Sequence, residues 1–234
     1  GILGFAYADP KVFSKVTGTL GNRYFLPGGV NCPAICDDGR NTVISVFADT
    51  AKFTELANSQ GLNEGRPNLD GMRFDSQAPQ GGQPGSNATI LYSWYNRGEW
   101  RYDPTSGSYL RWIEELDASN NVSMVELTDA NTEKQIGFNN VIVLFSMYIE
   151  YAPTLHDISM VTNLGGQRAV IFRDGQAYEA IWKSAGADKP LQFFTSDGQP
   201  FALKPGNSWL AIMGTGTQAK QPEPGKWEFQ FFLP

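Results

Sequence analysis

The residues best equipped for recognition chemistry lie between Trp94 and Trp112, in the run WYNRGEWRYDPTSGSYLRW. Trp94, Trp100 and Trp112 could stack on a sugar ring, while Arg97, Arg101 and Arg111 supply donors and Asp103 an acceptor. The competing reading places the tryptophans in a β core and makes Arg111, set between aromatics, a structural ion-pair partner. A long loop, Gly61–Ser86, precedes this run and adds Arg66, Asn68 and Asp70 as candidate binding residues. Long ordered loops are a common seat of function, whereas a disordered one is merely a hinge.

Catalysis has a poorer supply. Nucleophilic acyl transfer needs a base that shuttles a proton near neutral pH, and His156 is the single histidine. Asp157 adjoins it in sequence, which says nothing about orientation, and there is no Gly-x-Ser-x-Gly elbow. A loop histidine between two strands is the better reading. Paired carboxylates could support glycoside hydrolysis across a cleft. Glu114 and Glu115, however, must face opposite sides of a strand, and no spacing unites them with Asp103, Asp117 or Glu126. Asn68–Gly71 and Asp37-Asp38-Gly39 look like pieces of calcium loops, but neither is followed by the required acidic twelfth position. There is no P-loop and no dinucleotide fingerprint. The sequence therefore assigns no catalytic residue, no metal ligand and no cofactor.

Cys32 and Cys36 are the only cysteines, in NCPAICDDG. A disulfide closing this small loop is geometrically possible and suits an oxidising compartment. A thioredoxin-like site would want two intervening residues rather than three, and a zinc site would need two further ligands. The disulfide is the favoured reading, and it points to an extracytoplasmic location.

These residues must be positioned by a largely β framework. The 234-residue chain is 41% hydrophobic and 13% aromatic, with 25 Gly and 14 Pro, which favours sheets joined by short turns over helical bundles. Its formal charge is −6, from 18 basic and 24 acidic side chains, without a run of Lys or Arg. Phosphate-backbone binding thus has no electrostatic footprint, and a nucleic-acid partner is not expected. No apolar run is long enough to span a bilayer. Gly1 falls inside what reads as structured sequence, as in a trimmed chain.

Two capped helices are predicted, one opened by Asp9-Pro10 and closed at Gly18, the other capped by Asp49 and ending at Gly61. Thr42–Phe47 reads as a strand before the second helix, whose Phe53, Leu56 and Ala57 share a face. From Ala88 the alternation is β-like. In SYLRWIEEL, Tyr109, Arg111 and Ile113 share one face and Leu110 and Trp112 the other. Val141–Tyr151 reads as a buried strand. RAVIF and AYEAIW flank Asp174-Gly175, the strongest short-range hairpin signal, and a second Asp-Gly follows at Asp197-Gly198. The strand KWEFQFF is expected to add to a sheet edge. The expected class is α+β: a small αβ N-terminal part, residues 1–87 with a linker at about 77–87, then a mostly antiparallel, meander- or sandwich-like domain, residues 88–234.

The strings WRYDPTSGSYLRW, NNVIVLF, VIFRDGQAYEAIWK and SDGQPFALKPGNSWLAI, in this order over Ala88–Met213, resemble the C-terminal half of the YerB-like family of bacterial lipoproteins built on domains of unknown function. NLDGMRF (Asn68–Phe74) is similar to the end of that family's first domain, whose start is absent or diverged here. Ser86-Asn87-Ala88 also lacks a histidine expected before the C-terminal domain. The resemblance implies an α+β fold, an extracytoplasmic location and a membrane tie made only through a lipid anchor outside the present residues. It implies no established activity. The expected function is a non-catalytic cell-envelope binding or scaffolding module for an envelope protein or a wall glycan. A glycan-directed envelope hydrolase with a carboxylate site is the alternative.

Overall fold

A computed structural model describes residues 2–40, 45–62, 70–94, 96–153, 155–186 and 189–233. The chain divides into two compact units, Gly1–Asn68 and Leu69–Pro234.

In the first unit, β1 (Leu3–Gly4) lies parallel to β2 (Tyr24–Phe25), with α1 (Pro10–Leu20) between them in sequence. The Asp9 carboxylate accepts from the Lys11 amide at 2.9 Å and Pro10 opens the helix. The helix continues through Gly18 rather than closing there. An interior glycine costs only about 1 kcal/mol, and the positive φ that ends the helix falls on Gly21 (60°). β3 (Ile35–Asp37) pairs antiparallel with β4 (Val46–Ala48), and α2 (Thr50–Ser59) follows, capped by Asp49 through the amides of Ala51 and Lys52. The Thr42–Ile44 part of the expected strand lies outside the described residues. Phe25, Ile35, Ala57 and Leu62 form this unit's core, with Phe53 and Leu56 packed on it. Cys32 and Cys36 are joined as a disulfide.

The second unit begins with two short strands, β5 (Arg73–Phe74) and β6 (Gln83–Pro84). The long strands then follow: β7 (Asn87–Ser93), β8 (Asn96–Asp103), β9 (Ser108–Leu116) and β10 (Val122–Glu126). Next come β11 (Gly137–Phe138), β12 (Asn140–Ser146), β13 (Tyr148–Ala152) and β14 (Leu155–Ile158). The hairpin strands β15 (Gln167–Arg173) and β16 (Gln176–Lys183) precede β17 (Gln192–Thr195), β18 (Ala202–Leu203) and β19 (Ser208–Gly214). β20 (Gln218–Glu223) and β21 (Lys226–Gln230) complete the order.

Two sheets carry this unit. One runs β10-β9-β8-β7-β21-β20, with β11 added to β9; the other runs β17-β16-β15-β12-β19, with β6 added to β16. Their facing sides share a core that includes Ile90, Trp100, Tyr109, Val143, Phe172 and Phe229. The second sheet is also covered on its far side, around Ile142, Ile171, Trp182 and Phe201. β12 is accordingly buried along its whole length, as its unbroken apolar run requires.

Fold and expectation differ in four places. Val141–Tyr151 is not one buried strand: it breaks at the exposed Met147, and its second half is β13, largely exposed and paired with β14. The sheets are mixed rather than a simple meander: β19 lies parallel to β12, and β21 parallel to β7. β21 sits inside its sheet, because β20 returns to cover its outer side. Residues 70–86, read as loop and linker, are partly strapped to the second unit. β5 pairs with β18 and β6 with β16, and a Cβ at Gly85 would stand 2.5 Å from the Ala177 nitrogen. The two compact units divide between 68 and 69.

Candidate functional site

Strand alternation decides which of the candidate residues can meet. β8 and β9 pair so that Trp100 is opposite Arg111 and Glu99 opposite Trp112. Trp100 and Arg111 therefore point between the sheets, and Glu99, Arg101 and Trp112 point away. On the outer face the Arg101 guanidinium lies 4.1 Å from the Trp112 ring and bonds Glu99 at 2.7 Å. Trp112 is half-buried under it.

A hollow of about 440 Å³ opens at the tip of the β7–β8 hairpin. Trp94 is 90% exposed on its rim. Its lining mixes the apolar side chains of Leu91, Tyr92 and Phe231 with the polar ones of Arg97, Glu114 and Gln230. The Glu114 carboxylate accepts from the Arg97 amide at 3.2 Å and lies 3.5 Å from Arg97 Nε. That pairing orients both side chains at the edge of the hollow. Tyr92 packs against Phe231, ring centres 5.8 Å apart. Burial, helped by the neighbouring Tyr148, pushes the Tyr92 hydroxyl up to about 12, so it stays a neutral donor.

Behind Tyr92, between the sheets, Arg111 meets two indoles. Its guanidinium carbon is 4.1 Å from the Trp100 ring centre and 4.3 Å from that of Trp209. The two rings are themselves only 5.3 Å apart, so the cation caps a corner between them rather than filling a parallel sandwich. Gly98 makes room for it, since a Cβ there would stand 2.7 Å from Nη1. Burial lowers the Arg111 pKa from its ordinary value. The ion-pair role considered for Arg111 is not what is found: no described carboxylate bridges it, and stacking takes its place.

The remaining candidates disperse. Asp103 accepts from the amides of Thr105 and Ser106 and shapes the β8–β9 turn; the Ser106 hydroxyl, with these amides, holds its carboxyl below the usual range. Asp70 takes part in an isolated bridge to Met72 at the start of the second unit. Arg66 and Asn68 lie outside the described residues. His156 pairs across β13–β14 with Glu150, its Nε2 at 3.9 Å from that carboxylate, while Asp157 stands opposite Ile149. Glu114 is engaged by Arg97, and Glu115 points to the other side of β9.

Tyr92, Gln230, Phe231 and Trp209 belong to these sites and were not singled out as binding residues. Tyr92 shares the inward parity of Ile90, a signal the alternation carried. Trp209, Gln230 and Phe231 arrive through the β12–β19 and β7–β21 pairings, which no local pattern announces.

The crystal structure of YerB protein from Bacillus subtilis is similar over 91% of this chain and 67% of that one, with a TM-score of 0.66 and 15% identity. That likeness establishes a shared fold. No curated protein matches the chain. Residues 88–210 match the family model described as the C-terminal domain of a protein of unknown function, DUF3048. More than half of the chain lies within that match, and with its YerB-like fold the chain belongs to this family of uncharacterised function.

Proposed function

We propose that the chain is an extracytoplasmic binding module of the bacterial cell envelope that contacts wall glycan at the β7–β8 tip and runs no reaction of its own. The exposed Trp94 indole beside a hollow lined by both apolar and polar side chains carries this reading. A flat ring covers the C–H face of a pyranose, while Arg97, Glu114 and Gln230 offer donors and acceptors for its hydroxyls. The Cys32–Cys36 disulfide supports the oxidising location. In the full protein, a lipid anchor outside the present residues would hold the module at the membrane.

Sedimentation with isolated peptidoglycan tests the reading. The wild-type chain should co-sediment, and Trp94→Ala should weaken binding by about tenfold, the loss of one stacking aromatic ring. Wild-type protein that stays in the supernatant would sink the glycan assignment. Release of new reducing ends from the same peptidoglycan would favour the hydrolase instead.

A further inference from the structure

Four enclosed nitrogens that can only donate stand at one corner of the second unit without an acceptor: Nε and Nη1 of Arg111, Nε1 of Trp100 and Nε1 of Trp209. Both indoles lie within cation–π distance of the same guanidinium. Trp100 is 1% exposed, so its N–H lies away from bulk solvent, and no described residue accepts from it. Buried donors are satisfied in the great majority of proteins, and a buried cation is ordinarily paired. The ring faces attract the positive charge but accept none of these N–H bonds in the plane of the guanidinium.

The unmet need has a single polarity. Every unsatisfied group here is a donor and, among the described residues, no carboxylate pairs with the guanidinium, so the complementary guest is rich in acceptors and negative. Arg111 and Trp209 are half-buried rather than sealed, and Nη2 is the guanidinium nitrogen absent from the enclosed set. β19, which carries Trp209, is the margin of its sheet. We propose that the Trp100–Arg111–Trp209 corner binds an oxyanion group, a carboxylate or phosphate of a ligand that enters beside Nη2. The guest forms a charge-assisted bond with the guanidinium while the indoles keep water from its flank, which strengthens the attraction. The site does not depend on the hollow at the hairpin tip binding a sugar, although Tyr92 both lines that hollow and senses the Arg111 charge.

Trp100 and Trp209 provide an intrinsic reporter. The whole chain is titrated with sodium phosphate and, separately, sodium acetate, at ionic strength held constant with sodium chloride, and tryptophan emission is followed. A saturable change is expected for at least one anion. Phosphate alone would identify a phosphoryl guest, and acetate alone a carboxylate. Arg111→Met should weaken the response at least about tenfold, the loss of one charge-assisted bond. Trp209→Phe keeps an aromatic face but removes a donor and should weaken it less. Should Arg111→Met fail to fold, Gly98→Ala places a methyl against Nη1, displaces the guanidinium and should abolish the response. Absence of a saturable change in the wild type overturns the proposal, and so does a change that survives both Arg111→Met and Gly98→Ala. A normal anion response without wall sedimentation would defeat the glycan reading alone.

Discussion

At the scale of single residues, the second unit is secured by a buried arginine other than the one offered for binding. Arg173 is fully enclosed, bonds Asp174 at 2.9 Å and donates to the carbonyls of Ala202 and Ser76. Asp174 in turn holds Lys204 at 2.7 Å, and Lys204 donates to Gly107. Removing Arg173 strands these acceptors, so Arg173→Met should cost about 3–5 kcal/mol in chemical denaturation. Burial alone would raise the Asp174 pKa, but the bonds from Lys204 and Arg173 outweigh it and hold the carboxyl below its ordinary value. A depressed folded pKa gives stability that is complete above the unfolded value, roughly 3.9, and is lost as pH falls through the folded one. Melting temperatures measured from neutral pH to about pH 3 should therefore fall less steeply for Asp174→Asn than for the wild type. Trp94→Ala, by contrast, should leave stability within about 0.5 kcal/mol, because the side chain is almost wholly in solvent.

At the scale of elements, the turn chemistry was the most legible part. Asp174 and Gly175 take φ values of 53° and 74°, the conformation that makes an Asp-Gly pair a hairpin signal. Gly198, in the second Asp-Gly, has φ 84° with open space around it, whereas a Cβ at Gly175 would stand 2.9 Å from the Tyr102 ring. Gly198→Ala should thus cost about 1 kcal/mol of backbone strain. Gly175→Ala should cost about 1–3 kcal/mol more, from the clash; paired denaturation curves of the two variants read the difference directly. Parity along a strand was equally legible: it placed Arg111 with Tyr109 and away from Trp112. The partner of a strand was not. Nothing local in SWLAIM or KWEFQ says that it will lie parallel to β12 or β7, since the apolar face of a strand suits any sheet of the right polarity. The corner of Trp100, Arg111 and Trp209 depends on that distant pairing, so only half of it could be read in advance.

At the scale of the molecule, both cysteines fall in Gly1–Asn68 and neither in Leu69–Pro234. The first unit has a small core, and domains of that size are marginal. A cross-link closing so short a loop contributes about 2 kcal/mol through the unfolded chain. Reduction should lower the melting of the first unit alone. Calorimetry of the whole chain with and without reductant, beside a chain of residues 69–234, checks this. The shorter chain should fold and melt identically in both conditions. A reductant-induced shift of the second unit's transition in the whole chain would refute the independence of the two units.

The placement of β21 between β7 and β20 also sets a timetable. Ser86 and Gly225, which bond each other where β7 and β21 begin, are 139 residues apart. At roughly 5–20 residues per second, a ribosome holds the β7 edge open for on the order of ten to thirty seconds before its neighbour exists. For that interval a strand with an apolar face offers an unpaired edge to every other nascent copy. A chain ending before Lys226 should therefore aggregate where the whole chain stays monodisperse, which light scattering of the two checks.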